Sequence, residues 1–272
     1  MKPLALDVTL FNVAEGIPSY IEKNIARGLE EFKPAICTND GTFVICGAGP
    51  SLAQFANELR AERAKGRPIC AAKGAHDWLC ENDLHPDLFV SIEPRDRRNN
   101  LKSDSQRTVY LLASRCAPEV FDHLIERQAP VMIWHAASAE EENSVFRKHK
   151  VKALVGGLST SGLRAVNIGY FLGFRKFVMY GMDSCNAEDG MTKRVDGSQS
   201  GQTIEVVVEG GRKFICNVAM AKQAQDYNYL FSMMPDITVD IMGDGLLAAM
   251  EAERRKKRDL RLSQRMGLEL VA

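Results

Sequence analysis

The chain has 272 residues, 45% of them hydrophobic, and its 35 basic and 35 acidic residues give a formal net charge of zero. That apolar fraction, with only 21 glycines and 10 prolines, excludes intrinsic disorder and collagen-like order. No uncharged apolar run approaches the roughly 18 residues of a membrane span, and the acidic start lacks a secretory pattern, so a soluble, cytoplasmic protein is expected.

In chain order, residues 1–40 read as a helical extension, with a helix from Ser19 to Phe32 opened by Pro18 and closed before Pro34. Residues 41–245 then alternate short β-branched runs with helical periodicity, the pattern of a doubly wound, Rossmann-like and mostly parallel α/β sheet. Strands are expected at Thr42–Cys46, Pro68–Ala72, Leu88–Ile92, Thr108–Ala113, Val131–Trp134, Ala153–Val155 and Phe177–Tyr180. Helices are expected at Ser51–Ala64, Pro118–Arg127, Ala139–His149 and Ser161–Leu172. An added β-hairpin follows, Thr203–Val208 and Lys213–Cys216 around Gly210-Gly211. A helix from Asn217 to Met233 and a strand near Ile237–Met242 lead to a charged C-terminal helix over 246–272. From Glu251 onward the tail holds seven basic and four acidic residues. Such mixed charge without aromatic interleaving is the pattern of a solvated face, and nucleic-acid binding is not expected.

Seven cysteines without a Cys-x-x-Cys pair are expected as buried, reduced thiols. The histidines, His76, His85, His123, His135 and His149, show no zinc-binding spacing.

The sharpest local feature is Phe43-Val44-Ile45-Cys46-Gly47-Ala48-Gly49-Pro50-Ser51-Leu52. A buried strand runs into a Gly-x-Gly turn and a helix start, where free amides and the positive helix end suit a phosphate. Leu52 stands where a dinucleotide fingerprint has its third glycine, and the second strand ends in Lys73 rather than a carboxylate, which disfavours NAD. A second unit, Val155-Gly156-Gly157-Leu158-Ser159-Thr160-Ser161-Gly162, likewise brings hydroxyls and glycines to a helix start. At the same sheet edge, Glu93 and Asp183 end strands and could hold Mg²⁺ or ribose hydroxyls; each could equally cap a loop. Lys73, Lys193 and Arg194 are the cations available to phosphates.

Together, GAGPSL, PDLFVSIEP and GGLSTSGLRAVNIGYFLGFRKFVMYGMDSC resemble the MptE-like 6-hydroxymethylpterin diphosphokinase family over about Gly41 to Ala224. The same motif order is similar to Campylobacter-type sialyltransferases and to flagellar motility accessory factors. The resemblance implies a nucleotide whose phosphates lie over Gly47, Gly49, Pro50 and Ser51; from their own positions Ala48, Lys73, Gly157, Ser159, Thr160 and Ser161 are expected to join in binding it. It further implies ATP as donor and Mg²⁺ at the acidic strand end, Glu93 here; Glu93 and, from its own place at a strand end, Asp183 are the expected catalytic carboxylates. Glu93-Pro94 stands where the family usually has Asp-Pro, and no histidine follows His149, so a histidine base like that of the sialyltransferases is missing. The expectation is therefore a nucleotide-dependent transferase with a small-molecule or glycan acceptor. The alternatives are a CMP-sugar-dependent glycosyltransferase and a non-catalytic nucleotide-binding protein. The oligomeric state stays open.

Overall fold

The computed structural model describes residues 16–34, 38–103, 106–137, 139–192 and 201–266. Its strands are β1 (Thr42–Cys46), β2 (Ile69–Ala72), β3 (Leu88–Ser91), β4 (Val109–Ala113), β5 (Val131–Trp134), β6 (Lys176–Tyr180), β7 (Thr203–Val207), β8 (Lys213–Asn217) and β9 (Thr238–Ile241). Its helices are α1 (Ile17–Ile25), α2 (Ala56–Ala64), α3 (Ala75–Glu81), α4 (Pro118–Glu126), α5 (Glu140–Lys148), α6 (Ser161–Phe171), α7 (Val218–Met233) and α8 (Leu246–Met266).

Seven strands form one sheet in the order β5-β4-β3-β2-β1-β6-β9, every neighbouring pair parallel. Phe43, Val44, Ile45 and Cys46 of β1 are all fully buried. Successive strand residues point to opposite faces, so both faces of the sheet must be covered, which is why these strands read as continuous apolar runs. Helix α6 comes close enough to the sheet that a Cβ on Gly169 would meet Phe177 at 2.7 Å and Phe43 at 2.8 Å. Glycine inside a helix costs about 1 kcal/mol, and here it admits two buried rings, each contributing roughly 1.5–3 kcal/mol. The hairpin β7–β8 pairs antiparallel, apart from the main sheet.

Several elements differ from the sequence expectation for local reasons. Helix α1 stops at Ile25 instead of reaching Phe32. Gly28 then adopts φ +64°, and the chain runs along the β5 edge, with Phe32 N donating to Ile133 O at 2.8 Å and Ile133 N to Glu30 O at 2.9 Å. With that edge taken, Ala153–Val155 forms no strand and makes only one bridge, Val155 to Ala136. The extension also packs tightly on the sheet domain. Ile17 and Ile21 bury against Val145 and Phe146 of α5, and the buried Asn24 amide donates to the carbonyls of Ser114 and Cys116, both at 2.9 Å.

The expected helix from Ser51 opens with a 3-10 turn, Leu52–Phe55, before α2. Six cysteines are described, all buried and unpaired; Cys37 lies outside the described residues. Much of the basic run in α8 is neutralised within the fold. Arg254 and Arg255 clasp the buried Glu251, Lys257 pairs with Glu209 and Arg258 with Asp259. No helix among the described residues is long and apolar enough to cross a membrane.

Candidate functional site

Strands β1 and β6 are neighbours, yet β1 leads to β2 on one side while β6 is reached from β5 at the far edge. Their carboxyl ends therefore open a crevice at the point where strand order reverses, the usual ligand position in open α/β sheets. Two turns run into it, 47–51 after β1 and 181–184 after β6. They touch backbone to backbone: Gly47 N donates to Tyr180 O and Gly49 N to Gly181 O, both at 2.8 Å. A Cβ on Gly47 would lie 2.6 Å from Gly181 O, and one on Gly181, whose φ is +62°, would collide with Gly47 O. Close approach of the two turns is what demands these glycines.

Counting the donors changes what the first turn can do. Gly47 and Gly49 amides are spent on the partner turn, Pro50 has none, and Ser51 N donates to Asp183 Oδ2 at 3.0 Å. Asp183 thus holds the place at the helix start where a phosphate was expected. Among the described residues only the Ala48 amide of this turn lacks a protein acceptor. Gly47, Ala48, Gly49 and Pro50 border the cleft, of about 240 Å³, whereas Ser51 does not. Of the five residues expected beneath the phosphates, Ser51 therefore turns its amide to Asp183 rather than to the cleft.

Free donors come from the second unit. Thr160 caps α6 by accepting from Leu163 N at 3.4 Å. The first-turn amides of Ser161 and Gly162 have no intrahelical acceptor, and all three residues border the same cleft as Gly47–Pro50. Gly157 and Ser159 stand away from it. Gly157 packs against Asn167, and Ser159 N donates to Asp226 Oδ2 at 2.9 Å. Gln223 of α7, invisible as a site residue in the sequence, ties the rim together. It donates to Thr160 Oγ1 at 2.8 Å and accepts from Ser184 Oγ at 2.6 Å.

Two non-glycine residues beside the cleft hold left-handed backbone, Lys73 at φ +50° and Ser184 at φ +53°, strain of a kind that collects at functional sites. Lys73 borders the cleft, and its Nζ donates to Glu93 Oε2 at 2.8 Å. Arg95 grips the same carboxylate through Nε at 2.7 Å and Nη2 at 3.0 Å. Burial raises the Glu93 pKa, but the hydrogen bonds and charges of Arg95 and Lys73 outweigh it and hold the group at about 2. Both Glu93 oxygens are thereby committed to cations, and Glu93 does not border the cleft. Among the described residues no group of three or more His, Cys, Asp or Glu side chains could hold a metal ion. A protein-built Mg²⁺ site at Glu93 does not fit this donor arrangement; Glu93 instead anchors Lys73. Lys193 and Arg194 lie outside the described residues.

Asp183 is 6% exposed. Burial pushes its pKa above the ordinary aspartate value, opposed by the Ser51 amide. It is the one carboxylate among the described residues bordering the cleft, and no described histidine borders it. His76, for example, is fully buried against Tyr110 OH at 2.8 Å. The arrangement provides helix-terminal amides and a lysine for an anion beside a carboxylate of raised proton affinity.

A family model described as 6-hydroxymethylpterin diphosphokinase MptE-like matches residues 12–189. No curated protein matches the sequence. Among solved structures, the fold is similar to that of the MAf glycosyltransferase from Magnetospirillum magneticum AMB-1, with a TM-score of 0.62 at 12% identity. That likeness covers 85% of this chain and 38% of the other, so the chain spans well under half the length of the glycosyltransferase.

Proposed function

The chain belongs to the 6-hydroxymethylpterin diphosphokinase MptE-like family, and from that premise we propose that it is a nucleotide-dependent transferase, passing a diphosphoryl group from ATP to a hydroxyl of a small acceptor. The observation that carries this reading is the meeting, in one cleft at the switch point, of the Gly47–Pro50 turn, the first turn of α6, Lys73 and Asp183. The polyphosphate lies across the Ser161 and Gly162 amides and the Ala48 amide, with Lys73 as its cation. Asp183 takes the proton of the acceptor hydroxyl as that oxygen attacks the β-phosphorus. The bond from that phosphorus to the α–β bridging oxygen breaks, and AMP leaves. Positioning and charge neutralisation supply most of the acceleration in this reaction class, so a histidine base is not required.

Calorimetric titration with ATP, with and without Mg²⁺, tests the reading. Lys73→Gly suits the left-handed backbone while removing the ammonium, and losing a charged contact worth roughly 1.5–3 kcal/mol weakens ATP binding by about 10- to 100-fold. No binding of ATP by the unaltered protein overturns the proposal. Binding of CMP in place of ATP moves it to a glycosyl donor instead.

A further inference from the structure

A second space lies away from the cleft and shares no lining residue with it. Strand β6 turns Phe177 towards Gly169 of α6, so alternation sends Val178 and Tyr180 to the opposite face of the sheet. There they floor a cavity of about 440 Å³, walled by Glu62 and Arg67 on the α2 side and by Ala248, Glu251 and Arg255 of α8.

Tyr180 is the polar group that the fold leaves unanswered. Its ring is buried, 2% exposed, and meets the Phe55 ring edge-on at 5.3 Å. The hydroxyl has no hydrogen-bond partner among the described residues, yet it is not sealed in the core and opens on the cavity. Burial and the charge of Glu62 push its pKa up to about 12, so at neutral pH it offers a proton.

The hydrogen-bonding capacity left over decides what the cavity can take. Its buried carboxylates are spent. Glu62 accepts from Lys65 and Arg67, and both oxygens of Glu251 accept from Arg254, with Arg255 on one and Tyr227 on the other. The donors are not spent. Arg67 uses Nη1 alone, leaving Nε and Nη2, and Arg255 uses Nε and Nη2, leaving Nη1. An ammonium ligand would find only Asp240 Oδ2 at the exposed rim. An anion finds a neutral O–H beside unspent guanidinium donors, the arrangement that grips a carboxylate. Val178, Met242, Ala248 and Ala252 add apolar surface next to those donors, the mixture that small-molecule sites present.

We propose that this cavity binds a small organic anion with a single carboxylate and an apolar body. The carboxylate accepts from the Tyr180 hydroxyl and the Arg67 guanidinium, and the body lies over Val178, Met242 and Ala248. The site stands independently of the transferase reading, because no group assigned to ATP borders it.

Benzoate, benzamide and inorganic phosphate, titrated separately into the full chain by calorimetry, test the assignment. Benzoate is expected to bind saturably, and the other two roughly tenfold or more weakly, since benzamide lacks the charge and phosphate the apolar body. Tyr180→Phe removes only the hydroxyl; it should keep its Tm and lose about tenfold in benzoate affinity. Ala248→Phe fills the cavity from α8 and should abolish binding. Lys73→Gly, which alters the cleft, should bind benzoate within about twofold of the unaltered protein. The proposal is overturned if benzoate does not bind, or if benzamide or phosphate matches it. It is overturned equally if either cavity variant, once shown to be folded, binds benzoate unchanged, or if Lys73→Gly abolishes binding, which would place the anion in the cleft.

Discussion

Asp183 carries the chemistry argued for the cleft, and its surroundings give it two separable roles. As an acceptor for Ser51 N it completes a helix start; as a buried carboxylate of raised pKa it is suited to take a proton. The substitution Asp183→Asn keeps size and an acceptor oxygen but cannot act as a base. We expect the turnover number to fall by about 10²- to 10⁴-fold with ATP affinity within twofold. Because the amide carries no desolvated charge at neutral pH, Tm should stay level or rise. In the unaltered protein the proposed transfer should quicken with pH through an acid limb above the ordinary aspartate value of 3.8, since the base works only when ionised. A fall in Tm with turnover intact would assign Asp183 to capping alone.

At the scale of elements, the cleft depends on two turns whose backbones lie in contact. Gly181→Ala adds a methyl at φ +62° against Gly47 O, combining backbone strain with overpacking, each costing about 1–3 kcal/mol. The expected loss is about 2–4 kcal/mol, read as a lower denaturation midpoint. Gly156→Ala, where a Cβ meets nothing within 4 Å, should stay within about 0.5 kcal/mol. Equal effects at both positions would mean that the turns are not held together. Local pattern, by contrast, governs which elements the sequence discloses. Strands β1 and β5 and the start of α6 follow from apolar runs and a Thr-Ser cap, because local pattern decides them. Helix α3 is hidden, since its buried face carries His76, a polar residue whose Nε2 meets the Tyr110 hydroxyl 34 positions away while Nδ1 bonds its neighbour Asp77. The site was legible as two glycine-bearing helix starts, and the structure brings Gly47–Pro50 and Thr160–Gly162 to one cleft. What the sequence concealed is that Asp183 occupies Ser51 N from 132 residues away, which moves the open amides from the first unit to the second.

For the whole molecule, the buried ionisable groups set how stability depends on pH. Glu93, Asp77 and Glu251 have pKa values lowered by fold-specific hydrogen bonds and charges, against the opposing effect of burial. Burial likewise lowers that of His135. In each case the unfolded chain binds protons more readily, so acid favours unfolding. Asp183 acts in the opposite sense, its raised value favouring the folded state in acid. Glu93 should dominate the steep part of the curve. Its folded value near 2 lies below an ordinary 4.5, so its contribution of ~2–3 kcal/mol is complete above 4.5 and disappears as pH falls through that interval. Glu93→Gln removes the titration, leaving Lys73 and Arg95 without their counter-charge. The variant should be less stable than the unaltered protein at pH 7, and the two stability curves should converge as pH falls from 4.5 towards 2. Urea titrations across that range measure it. Parallel curves would show that the Lys73–Glu93–Arg95 cluster stores no pH-dependent stability, and Glu93 would then lose its role as the anchor of Lys73.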